Sequence, residues 1–577
     1  MRLATGCGPA AETTFTRKVI PVVSDVKRPW IPGSRRARLT AIGAAAMLVG
    51  GFAVSPVAFG DAAPGKYPAA EIHRPSPMPD RIILTPTTTP ASSQRVTWRA
   101  EATPEWAQAE ILEAPAALGQ VVPAAGTVSV VKATSTKSVN TSLGYASTYH
   151  TVEFVGLKPG TRYTYRVGDG TNWSAWTDFT TATADAQPFS FIYYGDAQNY
   201  LDTALPRVFR QAFADRPQAK VIVNAGDLID SANSEEQWGQ WYQAGGFIDS
   251  QINNISIPGN HEYSGSALSQ FWTPQFPYPD NGPAGWPAEL AKTAYTVDYQ
   301  GVRFIGLNTN VQGIPDVMAA QTAWLEGLLK NNPNKWTVVT FHHPVYSTAE
   351  GRDNPVIRAQ WGPLFEKYGV DLVLQGHDHT YGRGSVTSSR QSVTVHDSTV
   401  YAVSVSGGKM YDVDGSVWTD NAADIMSKAE DKQLYQLIDV TGDSIRYEAR
   451  YANGQHHDGV VIRKNAAGER TVNELRTPEN TVGEQVKVNK TIVEAKGKVK
   501  VDAFGYDPGE EVTVYLRNSK DGAGKKGVFI GYRKADELGR IEYSFALPPS
   551  AKKNTTHVVY LDSENQQITS PVITVTK

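Results

Sequence analysis

From Phe189 onward, short apolar runs alternate with stretches of helical apolar spacing. That alternation limits the fold more than any other feature of the chain. The runs are FSFIYY (189–194), AKVIVNA (219–225), NISI (254–257), VRFIGLN (302–308), TVVTF (337–341), VDLVL (370–374) and YAVSVS (401–406). Between them, 201–216, 234–250, 317–331 and 355–368 carry helical spacing, as where Trp324 and Leu325 are followed by Leu328 and Leu329. Strands alternating with helices predict an α/β layered core. The pattern runs over 188–465.

The flanks read differently. Over 81–184, RVTWRA (95–100), TVSVVKA (127–133), TYHTVEFVGL (148–157) and TRYTYRVGDG (161–170) are short strands separated by turn residues. They predict a β-sandwich of roughly 100 residues. Tyr163, placed after the Pro159-Gly160 turn, resembles the tyrosine-corner region of fibronectin type III domains. Residues 485–577 return to alternating strands and predict a second small β-sandwich; Gly505 to Val512 resembles Ig-like modules of exported bacterial proteins.

The first 60 residues are read as a leader. The basic cluster Ser34-Arg35-Arg36-Ala37-Arg38 precedes the apolar stretch 39–59, and small and polar residues follow. That is the order of a secretory signal, and the arginine pair resembles a twin-arginine signal. A Pro- and Ala-rich linker (61–80) follows. Removal of residues 1–60 leaves 47 basic and 56 acidic residues. An acidic body argues against nucleic acid as a regulatory partner. No other long apolar run exists, so no transmembrane domain is expected after leader removal. The expected location is secreted or at the cell surface, with cell-wall or surface contact through the C-terminal sandwich.

Cys7, the single cysteine, lies in the leader. Disulfides, thiolate metal sites and a cysteine nucleophile are excluded from the mature chain. A metal would have to be held by His, Asp, Asn, Gln or Glu.

Five segments offer such residues, each where an apolar run ends: Gly195-Asp196-Ala197-Gln198, Gly226-Asp227-Leu228-Ile229-Asp230, Gly259-Asn260-His261-Glu262, Phe341-His342-His343 and Gly376-His377-Asp378-His379. Open α/β sheets place ligand sites at such strand ends. Five of the eleven histidines fall within these segments, which turn chemistry alone does not explain. Hydrolysis of a phosphate ester needs dense negative charge neutralised and water activated near neutral pH. Two cations about 3.5–4 Å apart do both, and mixed carboxylate, amide and imidazole donors suit them.

The order of the five segments resembles the calcineurin-like metallophosphoesterases. The preceding sandwich is similar to the N-terminal domain of purple acid phosphatases. The resemblance covers about 80–465 and implies a layered β-sandwich core with two metal ions. It implies that Asp227 bridges both, that Asp196 and His379 bind the first, and that Asn260, His342 and His377 bind the second. His261 is then the group that contacts the phosphoryl or protonates the leaving oxygen, and metal-bound hydroxide is the nucleophile.

The chain departs from that family at three places. Purple acid phosphatases carry Tyr three residues after the bridging Asp; this chain has Asp230, so no tyrosinate-to-iron colour is expected. Gln198 stands where many calcineurin-like enzymes have His, and its amide oxygen is a candidate ligand on the first metal. Metal identity stays open among Mn, Fe, Zn and Mg. After His342 the stretch holds Arg352, which, with His343, is a candidate for holding substrate phosphate.

The leading expectation is an exported dinuclear-metal phosphoesterase acting on small phosphate monoesters, acid phosphatase-like. Two alternatives stay open: a phosphodiesterase acting on nucleotides or lipid headgroups, and a non-catalytic surface or matrix-binding protein on a degenerate scaffold.

Overall fold

The computed structural model describes residues 67–576, apart from 102–103, 118–127, 393–394, 476–485, 504–505, 507–508, 523, 537–538 and 564–566. The leader and the start of the linker lie outside the described residues.

Two large sheets face each other across the core. The strand Phe189–Tyr194 explains why. All six of its residues are buried, so both of its faces must be covered. Phe191 meets Phe304 of the opposite sheet edge-on at 5.3 Å between ring centres, and the Tyr193 hydroxyl donates to the Gln375 carbonyl there. Tyr194, on the other face, packs at 4.5 Å against Phe209 of the helix Leu205–Asp215. The helix Glu235–Gly245 adds Trp238 and Trp241 to the same core. The opposite sheet contains Val302–Gly306, Trp336–Thr340 and Leu372–Gln375, paired in parallel. Its outer face carries Ile305, Val339 and Val373 against Leu325 of the helix Pro315–Lys330 and Phe365 of Pro355–Tyr368. The layers are helix, sheet, sheet, helix.

The first sheet runs further than the apolar pattern indicates. Phe189–Tyr194, Val221–Asn224 and Asn253–Ser256 are parallel, and Leu84 of the strand Asp80–Thr85 pairs in parallel with Asn253. The N-terminal strands Ser93–Ala100, Ala146–Val155 and Ser135–Asn140 extend it, so one layer of the N-terminal domain is continuous with the core sheet. This pairing satisfies an edge that would otherwise expose backbone donors and acceptors. The domain's second layer has four strands: Ser129–Lys132, Gln108–Glu113, Arg162–Gly168 and Thr177–Thr180. Trp98, Phe154, Tyr165 and Phe179 fill the space between the layers. The Lys158 amide donates to the Tyr163 hydroxyl at 2.9 Å, which makes the expected corner.

Toward its other edge the core sheet takes in Arg470–Glu474, beyond 465, with Val395–His396 and Arg390–Ser392 outside it. The strand Arg470–Glu474 escaped the apolar pattern because Val472 is its one buried apolar residue and the other buried residue, Glu474, is charged. Glu474 is held with Asp458 by Arg383, and all three are buried. The C-terminal strands from Val486 to Thr576 form two further sheets around Val499, Val501, Val514, Leu516, Val559 and Leu561.

Candidate metal centre

Because the core strands are parallel within each sheet, their C-terminal ends lie at one edge. Asp196 comes two residues after Tyr194, Asp227 three after Asn224, and Asn260 and His261 open the 3-10 turn after Asn253–Ser256. His342 follows Trp336–Thr340, and His377 and His379 follow Leu372–Gln375. Four of these donors sit in the left-handed region: Asp196 at φ 36°, Asp227 at 51°, His377 at 77° and His379 at 52°. Each such conformation costs on the order of 1–3 kcal/mol and persists only where its surroundings impose it.

The side chains converge. His342 Nε2 lies 3.1 Å from Asp227 Oδ2 and 3.0 Å from Asn260 Oδ1. His377 Nδ1 lies 3.0 Å from Asn260 Oδ1 and 3.2 Å from His342 Nε2. His379 Nε2 lies 3.6 Å from Asp196 Oδ1. Donor atoms of Asp196, Asp227 and His379 all fall within 4.8 Å of one another, as do those of His342, His343 and His377. Asp227 touches both sets.

Backbone carbonyls aim the rings. His342 Nδ1–H donates to Ala225 O at 2.9 Å and His379 Nδ1–H to Lys409 O at 2.9 Å, which turns each Nε2 inward. Burial holds His379 down to about 4 and His343 down to about 3. Burial, with His343 beside it, also holds His377 well below its ordinary value. These three rings are neutral donors at pH 7. Burial also pulls on His342, but Asp227 outweighs it and carries His342 up to about 9. Burial would raise Asp227, yet His342 brings it down to about 2. Burial raises Asp196 well above the usual carboxylate range.

The residues fit two cations. Asp196 Oδ1, in the first donor set, and Gln198 Oε1 are buried without a hydrogen-bond partner. The 3.1 Å approach of His342 Nε2 to Asp227 Oδ2 marks where a second cation would compete with a proton. The glycines are there for closeness. A Cβ on Gly376 would lie 2.4 Å from Asp196 Oδ2, and one on Gly259 would lie 2.1 Å from Asp227 Oδ1.

The remaining candidates fall around this set. Gln198 is fully buried; its Nε2 lies 3.1 Å from Asp227 Oδ2 and 2.9 Å from His379 Nε2. A half-turn of the amide puts Oε1 in that position. His261 is part-exposed, its backbone N–H donating to Asp227 Oδ1 at 2.9 Å and its Nδ1–H to the Asp230 carbonyl at 2.6 Å. Asp230 therefore serves the site through its backbone carbonyl, with its carboxylate 3.7 Å from the same Nδ1. It does not cap the next helix, where Ser234 accepts from the Gln237 amide. His343 packs at 4.2 Å against the His377 ring and pairs with Thr309 Oγ1 at 2.8 Å. Arg352 donates to the His377 carbonyl, lies 4.7 Å over the Tyr411 ring and is 3.9 Å from Asp378.

Glu262, to which the sequence reading gave no role, is central. Its carboxylate accepts the amides of Asp227 at 2.9 Å, Leu228 at 2.8 Å and Gly259 at 2.7 Å, tying two ligand loops together. An acidic residue inside an apolar strand-end motif was the available signal. Asn310, which donates to Pro258 O and Gly259 O, and Tyr411, whose ring lies 4.8 Å from that of His379, had no signal in the motif spacing.

Comparison with known proteins follows the same division of the chain. Residues 79–181 match the purple acid phosphatase N-terminal domain, and residues 189–381 match the calcineurin-like phosphoesterase family. The chain is 26% identical over 276 residues to acid phosphatase type 7 of Danio rerio, covering 42% of this chain and 60% of that protein. It is 25% identical over 268 residues to purple acid phosphatase 15 of Arabidopsis thaliana, covering 41% of this chain and 49% of that protein. The chain thus spans about half to three-fifths of the length of these curated relatives. Among solved structures, purple acid phosphatase PPD1 from yellow lupin (Lupinus luteus) seeds shares the fold. The TM-score is 0.56 at 19% identity, covering 68% of this chain and 75% of that one.

Proposed function

For a chain that carries a purple acid phosphatase N-terminal domain and a calcineurin-like phosphoesterase domain, we propose metal-dependent hydrolysis of phosphate monoesters, acid phosphatase-like, with two cations as cofactors. The observation that carries this reading is that two donor sets meet at Asp227, with four ligand residues held at positive φ to bring them there. Asp196, Asp227 and His379, with Gln198, would hold one cation; Asn260, His342 and His377, with Asp227, the other. The pair would supply charge neutralisation and activation of water.

The chain's own residues do the rest. The Arg352 guanidinium, anchored on the His377 carbonyl and on Tyr411, offers its remaining N–H groups to phosphoryl oxygens. His261 points Nε2 toward the site because Nδ1 is engaged by Asp230 O. As a bond from water oxygen to phosphorus forms and the bond from phosphorus to the alcohol oxygen breaks, His261 Nε2 delivers a proton to that alcohol. The products are the alcohol and inorganic phosphate.

Export rests on the order of basic, apolar and small residues over 34–60. Among the described residues no helix is long and apolar enough to cross a membrane.

The test is hydrolysis of 4-nitrophenyl phosphate against bis(4-nitrophenyl) phosphate by metal-loaded protein. Preference for the monoester supports the reading. Preference for the diester assigns a phosphodiesterase. Hydrolysis of neither, with every divalent supplement, assigns a non-catalytic scaffold.

A further inference from the structure

The N-terminal domain meets the core through a buried carboxylate. Glu235, fully buried, is the first residue of the helix Glu235–Gly245. Its Oε1 accepts from Arg81 Nη2 at 2.8 Å, Arg99 Nη1 at 2.5 Å and Ser147 Oγ at 2.8 Å, each from a different strand of the N-terminal domain. Its Oε2 accepts from Arg81 Nη1 at 3.2 Å. Arg99 is itself fixed by Asp80 at 2.6 Å and the His73 carbonyl at 2.8 Å. The start of this helix is thus bolted to the domain through one carboxylate.

Two residues further along the helix, Gln237 faces the other way. Its Oε1 accepts the backbone N–H of Asp230 at 3.1 Å and of Ser231 at 2.7 Å. Those two amides belong to the turn whose Asp230 carbonyl accepts His261 Nδ1–H at 2.6 Å. The path from Arg81 and Arg99 through Glu235, the first helical turn, Gln237 and Asp230 to His261 is continuous. Every link is a hydrogen bond or one helical turn. A ring aimed by a carbonyl is only as well placed as the turn that presents the carbonyl. A misplacement of about 1 Å at a reacting group costs on the order of 100-fold in rate.

We propose that Gln237 is a positioning residue for His261, and that the N-terminal domain sets the ring's direction through Glu235. The inference rests on the reading of His261 as the group that protonates the leaving alcohol. It predicts a loss confined to substrates that need that proton.

The experiment uses the full-length, metal-loaded protein with two substrates, 4-nitrophenyl phosphate, whose phenolate leaves unaided, and glycerol 1-phosphate, whose alkoxide does not. Gln237→Ala should lower kcat on glycerol phosphate by about tenfold or more, change kcat on 4-nitrophenyl phosphate by less than about threefold, and leave both KM values unchanged. Gln237→Glu keeps an acceptor for the two amides and should restore kcat. Glu235→Gln should show the same selectivity at smaller size. His261→Ala combined with Gln237→Ala should lose no more than His261→Ala alone. Equal losses on both substrates, or losses that add to His261→Ala, overturn the proposal; thermal melts identify a variant that loses its fold.

A second readout does not depend on turnover. The native protein should show a slowly exchanging His261 Nδ1–H in its histidine 1H–15N spectrum, lost in Gln237→Ala and regained in Gln237→Glu. A signal unchanged in Gln237→Ala overturns the positioning role. A native protein that hydrolyses neither ester but shows this pattern overturns the proposed function and leaves the positioning standing.

Discussion

Gly259→Ala isolates the closeness of the ligand loops from every other effect. Gly259 sits at φ −89°, ψ −172°, a conformation open to any residue, so the substitution carries no backbone penalty. The added methyl, however, would lie 2.1 Å from Asp227 Oδ1 and 2.5 Å from Asp227 N. Unstrained contact needs about 3.5 Å, so Asp227 or the loop must give way by roughly 1 Å or more. The displaced oxygen is the one that accepts the His261 amide, and the displaced residue is the one the two donor sets share. Overpacking of this kind costs about 1–3 kcal/mol of stability, and a shift of about 1 Å at a catalytic group costs on the order of 100-fold in kcat/KM. The assay is elemental analysis of the purified variant, with kcat/KM on 4-nitrophenyl phosphate and a urea melt. Gly313→Ala, where a methyl meets nothing within 4 Å, is the control and should match the native protein. A Gly259→Ala protein with two metal equivalents and native kcat/KM would refute the crowding argument.

Further outcomes follow from the same structure. Asp249 is buried with one oxygen unpartnered, and burial lifts it from 3.8 to about 7. Its folded value exceeds its unfolded one. The stability it contributes is therefore complete below about pH 4 and lost as pH rises through 7, by an amount of the order of a few kcal/mol. Asp249→Asn should flatten that part of the pH–stability curve in urea titrations from pH 4 to 8; an unchanged slope refutes the assignment. Arg383, buried between Asp458 at 2.5 Å and Glu474 at 2.6 Å, links the two core sheets. Arg383→Met removes the cation between two buried carboxylates, leaving Asp458 with Tyr381 and Glu474 with His396, and should cost about 3–5 kcal/mol by equilibrium unfolding; a loss below about 1 kcal/mol would contradict this. Gln198→Ala should bind one cation with native affinity and the other more weakly by calorimetry, and full native affinity at both sites would remove Gln198 from the ligand set. With Asp230 in place of a tyrosine, iron-loaded protein should lack a visible tyrosinate band, which an absorption spectrum checks.

The donor set was legible because its chemistry is local. Gly-Asp, Gly-Asn-His and Gly-His-Asp-His each follow an apolar run, and parallel strands carry such ends to one edge. The helix over 355–368 was legible for the same reason, from its own spacing. What joins distant segments was not. The pairing of Leu84 with Asn253, which merges the N-terminal domain into the core sheet, has no sequence signature. The strand Arg470–Glu474 was hidden because the burial of Glu474 depends on Arg383, 91 positions earlier. Glu262 lay in plain view, but its role as acceptor of three loop amides exists only once the loops meet. Asp230 is legible in the sequence only as the residue in a tyrosine's place, whereas the fold uses its carbonyl to hold His261.

The central claim is that Asp227 is shared by two cations. Titration of metal-stripped protein with Mn or Zn, followed by calorimetry, measures it directly. The account predicts two equivalents per chain, with Asp227→Asn weakening both. A native stoichiometry of one, or an Asp227→Asn protein that binds two cations at native affinity, would contradict it.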